Sequence, residues 1–185
     1  MALANIACIL AKLKEGPVLM IDWDLEAPGL HRFFGRRIVD GPTYMDSHTL
    51  EEMPGLIELF IKLKDYLIKT KSRTEDDIEK ALEIFDFDQF ILKTDIPSLY
   101  LIKAGKFDNN YPTKVNRFKW DIFYNKYPDI FKNLALCLSK KYKHILIDSR
   151  TGVTDISGIT TMLMPNKLVA VFTPNRQSLT GVIDL

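Results

Sequence analysis

Two short apolar runs in this 185-residue chain end in carboxylates. Val18-Leu-Met-Ile-Asp-Trp-Asp24 closes on Asp22 and Asp24, one residue apart, and His144-Ile-Leu-Ile-Asp-Ser-Arg-Thr-Gly152 closes on Asp148. Such a run reads as a buried strand. In an open parallel sheet the carboxyl ends of such strands converge on one crevice, where ligands bind. Two acids on one rim suit a hydrated magnesium ion, because Mg²⁺ keeps several waters and takes only one or two protein carboxylates. Asp22 and Asp148 are therefore the candidate metal ligands. Asp24 stands in the loop just beyond, where its carboxylate could orient an attacking water in phosphate chemistry. A single strand-end Asp more often caps a turn or the next helix; the convergence of two is what points to a site.

The elements that must position these acids follow from periodicity. Leu3, Ile6, Ala7, Leu10 and Leu13 repeat at helical spacing, so residues 1–13 read as a helix closing at Gly16-Pro17. The strand at residues 18–22 follows, then a loop through Leu25-Glu-Ala-Pro-Gly29. Leu56, Leu59, Phe60, Leu63 and Leu67 predict a second helix and residues 77–90 a third, together a helical insertion at about residues 50–95. Ser98-Leu-Tyr-Leu-Ile reads as a strand stopped at Gly105, followed by a polar, aromatic loop at residues 107–112 that is near enough to a strand end to contact a ligand. Pro128 divides residues 116–141 into two helices. After the strand at residues 145–148 the pattern predicts a helix over 155–164 with Thr154 as its cap, a strand over 168–172, and a further helix from about Ser178. Strands alternating with helices imply one α/β domain, with a mostly parallel sheet and helices on both faces.

Composition narrows the partners little. Lys plus Arg number 25 against 24 Asp plus Glu, so no global field draws the chain to nucleic acid or an anionic membrane. The basic stretch Lys62, Lys64, Lys69, Lys71 and Arg73 is balanced by Glu75, Asp76 and Asp77 and reads as a solvated helix face. Cys8 and Cys137 lie in helical apolar patterns, as expected of buried thiols in a cytoplasmic protein. His31, His48 and His144 have no paired ligand spacing and are expected at the surface or a strand edge. No apolar run approaches membrane-spanning length.

VLMIDWDLEAPGL resembles the segment after the first helix in the MinD/ParA group of SIMIBI-class P-loop ATPases, and HILIDSRTGVTDISG resembles their switch II. SLYLIKAG and LVAVFTPNRQSLTGV resemble the intervening and following strands, so the likeness is diffuse only between residues 36 and 97. The resemblance implies a Rossmann-like three-layer α/β/α fold of P-loop NTPase type that binds ATP and Mg²⁺. In it, Asp22 holds the magnesium shell, Asp24 is the catalytic switch I acid that positions the hydrolytic water, and Asp148 is the Walker B acid. Ser149, Arg150, Thr151 and Gly152 would face the nucleotide, with Gly152 letting switch II approach the γ-phosphate. Asp-Ser-Arg-Thr-Gly departs from the group's commonest Asp-x-Pro-x-Gly, so Arg150 is open between a phosphate, a partner subunit and solvent. The group's members act as homodimeric switches that release a protein partner on hydrolysis.

The group's phosphate loop is missing. None of the nine glycines has another five positions later, so no Gly-x-x-x-x-Gly-Lys-[Ser/Thr] occurs. By the resemblance that loop and its strand belong immediately before Ala2, and the sequence stops within a helix at Leu185. The expectation is therefore a domain incomplete at both ends, marginally folded and inactive without its loop, with ATP and Mg²⁺ as cofactors of the intact protein and none expected on this chain. Two other readings stand beside it. One is a non-enzymatic pseudo-ATPase module that keeps the switch segments as a partner surface. The other is a phosphoaspartyl hydrolase using Asp22-Trp-Asp24 with Asp22 as nucleophile, against which Glu26 stands where such motifs carry a small hydroxylic or branched residue.

Overall fold

The structure is a computed structural model and describes residues 2–149 and 158–171. Its strands are β1 (Val18–Asp22), β2 (Ile38–Asp40), β3 (Thr43–Tyr44), β4 (Leu92–Thr94), β5 (Leu99–Ile102) and β6 (His144–Asp148). They form one sheet in the order β3-β2-β4-β5-β1-β6. β1 is buried at every position, because both of its faces are covered. Val18 and Met20 face one apolar layer, and Leu19 and Ile21 face the other. That is why its sequence is a continuous apolar run rather than an alternation.

The helices are α1 (Ala2–Lys12), α2 (Leu30–Phe33), α3 (Ser47–Glu52), α4 (Leu56–Lys69), α5 (Glu75–Ile84), α6 (Tyr111–Arg117), α7 (Trp120–Lys126) and α8 (Ile130–Ser139). α1 lays Ala4, Ala7 and Ala11 on the sheet beside Leu30, Phe34 and Leu50. The opposite layer is built by α4, α5, α7 and α8 and is aromatic: Trp23 lies 5.3 Å from Phe60 and 5.9 Å from Trp120, and Phe60 lies 5.8 Å from Phe131. Such ring pairs contribute roughly 0.5–1.5 kcal/mol beyond their buried area. Residues 50–95, read as an insertion, thus supply one wall of this core and a strand of the sheet. The break at Pro128 is present between α7 and α8.

Four expectations need correction. The sheet is mixed rather than mostly parallel: β1 pairs β5 and β6 in parallel, whereas β2–β3, β2–β4 and β4–β5 are antiparallel. The helix expected over residues 77–90 runs only over Glu75–Ile84, begun by a Thr74–Asp77 capping box. Phe85 then turns extended and packs 5.0 Å from Phe87, which ends the helix to bury two rings. The described part of the helix expected over 155–164 is helical but wound wide, a π-helix over Ile159–Leu163 in which Met164 N donates to Ile159 O at 3.2 Å. Finally, residues 168–171 form no strand, and Leu168, Val169 and Val171 stand exposed. Strand preference stands largely for side-chain burial on a pleated surface, and nothing buries these. Thr154, residues 155–157, Phe172 and the helix start near Ser178 lie outside the described residues. Among the described residues, no helix is long and apolar enough to cross a membrane.

Candidate functional site

β1 and β6 run in register, with Asp22 opposite Asp148, and Trp23 N continues the ladder by donating to Asp148 O at 2.9 Å. Adjacent strands lie about 4.8 Å apart, so the two aspartates are immediate neighbours. By alternation both project to the side of Met20 and Leu146, the face that α1 covers. α1 packs back along Val18 and Met20 after a short connection, so it runs antiparallel to β1. Its eleven residues span about 16 Å, matching the length of β1. The helix N-terminus therefore comes level with the carboxyl ends of β1 and β6. No acidic residue occupies its first turn.

Connections from the two strands leave in opposite directions. β1 feeds α2 in the α1 layer, whereas the chain after β6 is next described with Ile159 in the aromatic layer. The carboxyl ends of parallel strands in open α/β sheets are where such folds bind ligands.

Burial sets the electrostatics of the rim. Asp22 is fully buried; its Oδ2 accepts the Leu30 amide at 3.1 Å, while Oδ1 has no hydrogen-bond partner among the described residues. Burial pushes its carboxyl up from 3.8 to about 7, against the pull of the Leu30 hydrogen bond and with the charges of Asp148 and Asp24 adding to the rise. Asp148 is raised in the same direction by burial, with Asp24 adding. An unpartnered buried carboxylate oxygen is costly, and a cation at the rim would remove that cost. Asp24 lies beyond the strand, its Oδ1 accepting the Ala27 amide at 3.2 Å to form a tight loop turn.

The structure sets Asp22 beside Asp148 in register and leaves Asp24 in the loop just beyond β1. Ser149 is described with its hydroxyl 2.7 Å from that of Thr160, whereas Arg150, Thr151 and Gly152 lie outside the described residues. Sequence reasoning missed a group of buried side chains just after β5 that packs around Phe107. His31 is buried rather than superficial, stacked 4.4 Å from Phe107, and Lys103 Nζ lies 4.5 Å over the same ring. Burial pulls His31 down to about 4 and Lys103 down to about 8. Lys103 donates to Glu51 O at 2.9 Å and Gly105 O at 2.6 Å, so its ammonium binds α3 to the β5 loop. The aromatic composition of residues 107–112 was the available signal for this layer.

Two of these acids fit a hydrated magnesium ion, which needs one or two carboxylates. Among the described residues no group of three or more His, Cys, Asp or Glu could hold a metal. A more fully protein-coordinated ion therefore has no cage there.

No family model matches the chain, and no curated protein matches it. Among solved structures, the crystal structure of the chimerical protein CapA2B2 is similar at 16% identity with a TM-score of 0.49, over 88% of this chain and 51% of that one. The chain thus spans about half the length of that structure. At that score the likeness carries no argument about fold or function.

Proposed function

We propose that this chain has a MinD/ParA-type nucleotide-binding fold of the P-loop NTPase class, and that its Asp22–Asp148 rim holds hydrated Mg²⁺. The observation that carries the reading is the Asp22 carboxylate, buried with Oδ1 unpartnered and standing in register beside Asp148. A magnesium ion there supplies positive charge to phosphate oxygens. Asp22 and Asp148 hold its water shell through their carboxylate oxygens, and Asp24, fixed by its turn, orients the attacking water. Ser149, Arg150, Thr151 and Gly152 face the nucleotide in this reading, and the intact protein works as a homodimeric ATP-driven switch acting on a protein partner.

No step through ATP is assigned to this chain, whose sequence lacks the groups that cradle its phosphates. That same absence favours a second reading, a binding module that keeps the rim without turnover. Calorimetric titration separates the two. Mg²⁺ or Mn²⁺ alone is expected to bind weakly at pH 8, with binding lost in Asp22→Asn and in Asp148→Asn. Equal binding in wild type and both variants, or none in wild type, would sink the metal rim. With ATP and Mg²⁺ together, absence of heat favours the module, whereas tight ATP binding with hydrolysis would remove it.

A further inference from the structure

The loop that carries Asp24 is held from outside at both of its ends. At its start, the buried Tyr111 hydroxyl donates to Leu25 O at 2.8 Å. At its end, Phe107 stacks 4.4 Å from His31, the residue after the Leu30 amide that holds Asp22. Phe107 and Tyr111 are themselves packed edge to face at 5.0 Å. Their approach depends on Gly105, where a Cβ would stand 2.7 Å from the Tyr111 ring and 2.6 Å from Ile57. Burial, with the charges of Asp22, Glu58 and Asp24 adding, raises the Tyr111 phenol above its usual range, so it remains a donor at any physiological pH.

We infer that Tyr111 is a positioning residue for the acid rim, its hydroxyl fixing residues 24–30 so that Asp24 stays in register with Asp22 and Asp148. The inference rests on the metal-rim reading for its purpose, but the clamp is a property of the loop and can be measured without any ligand. Tyr111 touches no reacting group; it acts through the Leu25 carbonyl. The loop after β5 thereby couples the α3–α4 side of the molecule to the site, since Phe107 N also donates to Glu51 O at 3.0 Å.

Amide exchange by NMR on the full chain, with Tyr111→Phe and Phe107→Leu, tests this. Tyr111→Phe keeps the ring and removes one buried hydrogen bond, so exchange at Ala27 and Leu30 should accelerate roughly fivefold with β1 and β6 unchanged. Phe107→Leu should accelerate Leu30 more than Ala27. Unchanged exchange at Ala27 and Leu30 in Tyr111→Phe overturns the inference, as does a uniform acceleration through the strands, which marks a merely structural loss. Mn²⁺ titration of the same samples reads the consequence: severalfold weaker binding in Tyr111→Phe is expected, and unchanged affinity despite faster exchange would show that the clamp does not position the rim. Failure of wild type to bind Mn²⁺ would defeat the metal reading alone, leaving the exchange result to decide Tyr111.

Discussion

Asp22 is a charge held where water cannot reach it, and that makes it both useful and destabilising. Its folded value of about 7 lies above the 3.8 of a free side chain, so between those limits the folded state binds a proton that the unfolded state has released. Stability from this group is fully present below pH 3.8 and lost as pH rises through 7. His31 has the opposite slope, its value lowered from 6.5 to about 4, so it favours the folded state increasingly as pH rises across that window. The two partly cancel in wild type. Comparison with Asp22→Asn isolates the aspartate, because asparagine keeps the shape and drops the charge. The variant is expected to match wild type near pH 4, to gain on it up to pH 7, and to exceed it at pH 8 by a few kcal/mol, at ~1.4 kcal/mol per unit. Urea midpoints at pH 4, 6 and 8 check this; a variant less stable than wild type at pH 8 would contradict the buried charge. Mg²⁺ should raise the wild-type midpoint at pH 8 and leave the variant unmoved.

At the scale of elements, the crossing of α4 over β5 decides whether the loops around the rim can assemble. The first amides of α4 are satisfied by carbonyls of the loop after β5, Leu56 N donating to Lys103 O at 2.8 Å and Ile57 N to Ala104 O at 3.0 Å. Glu58 Oε2 closes the junction by accepting from Gly55 N and Lys106 N, each at 3.0 Å. Gly55 has an extended backbone that any residue adopts, so contact alone demands glycine there. A Cβ would stand 2.6 Å from Gly105 N and closer still to Lys103 O, both backbone atoms that cannot rotate away. Gly55→Ala is expected to lower stability by about 1–3 kcal/mol, as overpacking does, whereas Gly29→Ala, facing open space, should be near neutral in urea unfolding. None of this was legible in sequence, because a helix-to-loop contact between residues 55 and 103–105 leaves no periodicity. The long, strongly patterned elements were legible: α1, β1, α4, β5, β6 and the helices flanking Pro128 all announce themselves by apolar spacing. The antiparallel half of the sheet did not, since β2, β3 and β4 have two or three residues each, too few to show alternation. The Asp22–Asp148 pairing was readable because both acids end apolar runs; Tyr111 and Phe107 were not, because their targets are a backbone carbonyl and a ring far away in sequence.

Taken whole, the molecule is unevenly sealed. β1 is buried on both sides, yet β6, the outer strand among the described residues, is only half-buried along its full length. Apolar side chains are also exposed in two places: Ile6, Ile9 and Leu13 along the outer side of α1 and just past its end, and Leu168, Val169 and Val171 in the 168–171 run. An outer strand and exposed apolar side chains are the features by which folded chains associate. Charge does little to oppose it, because 25 basic against 24 acidic residues leave a net charge of +1. Concentration-dependent association should therefore be strongest close to the sequence pI of about 7.7 and weaken as pH moves away in either direction. Val169→Lys puts a charge into the exposed run where nothing packs, so it should reduce association with little change in unfolding midpoint. Sedimentation velocity at several concentrations, with wild type and variant at pH 6 and 7.7, measures both effects. If wild type sediments as a monomer throughout, these surfaces are quiet in solution; if the variant associates as strongly as wild type, the contact lies elsewhere than the 168–171 run.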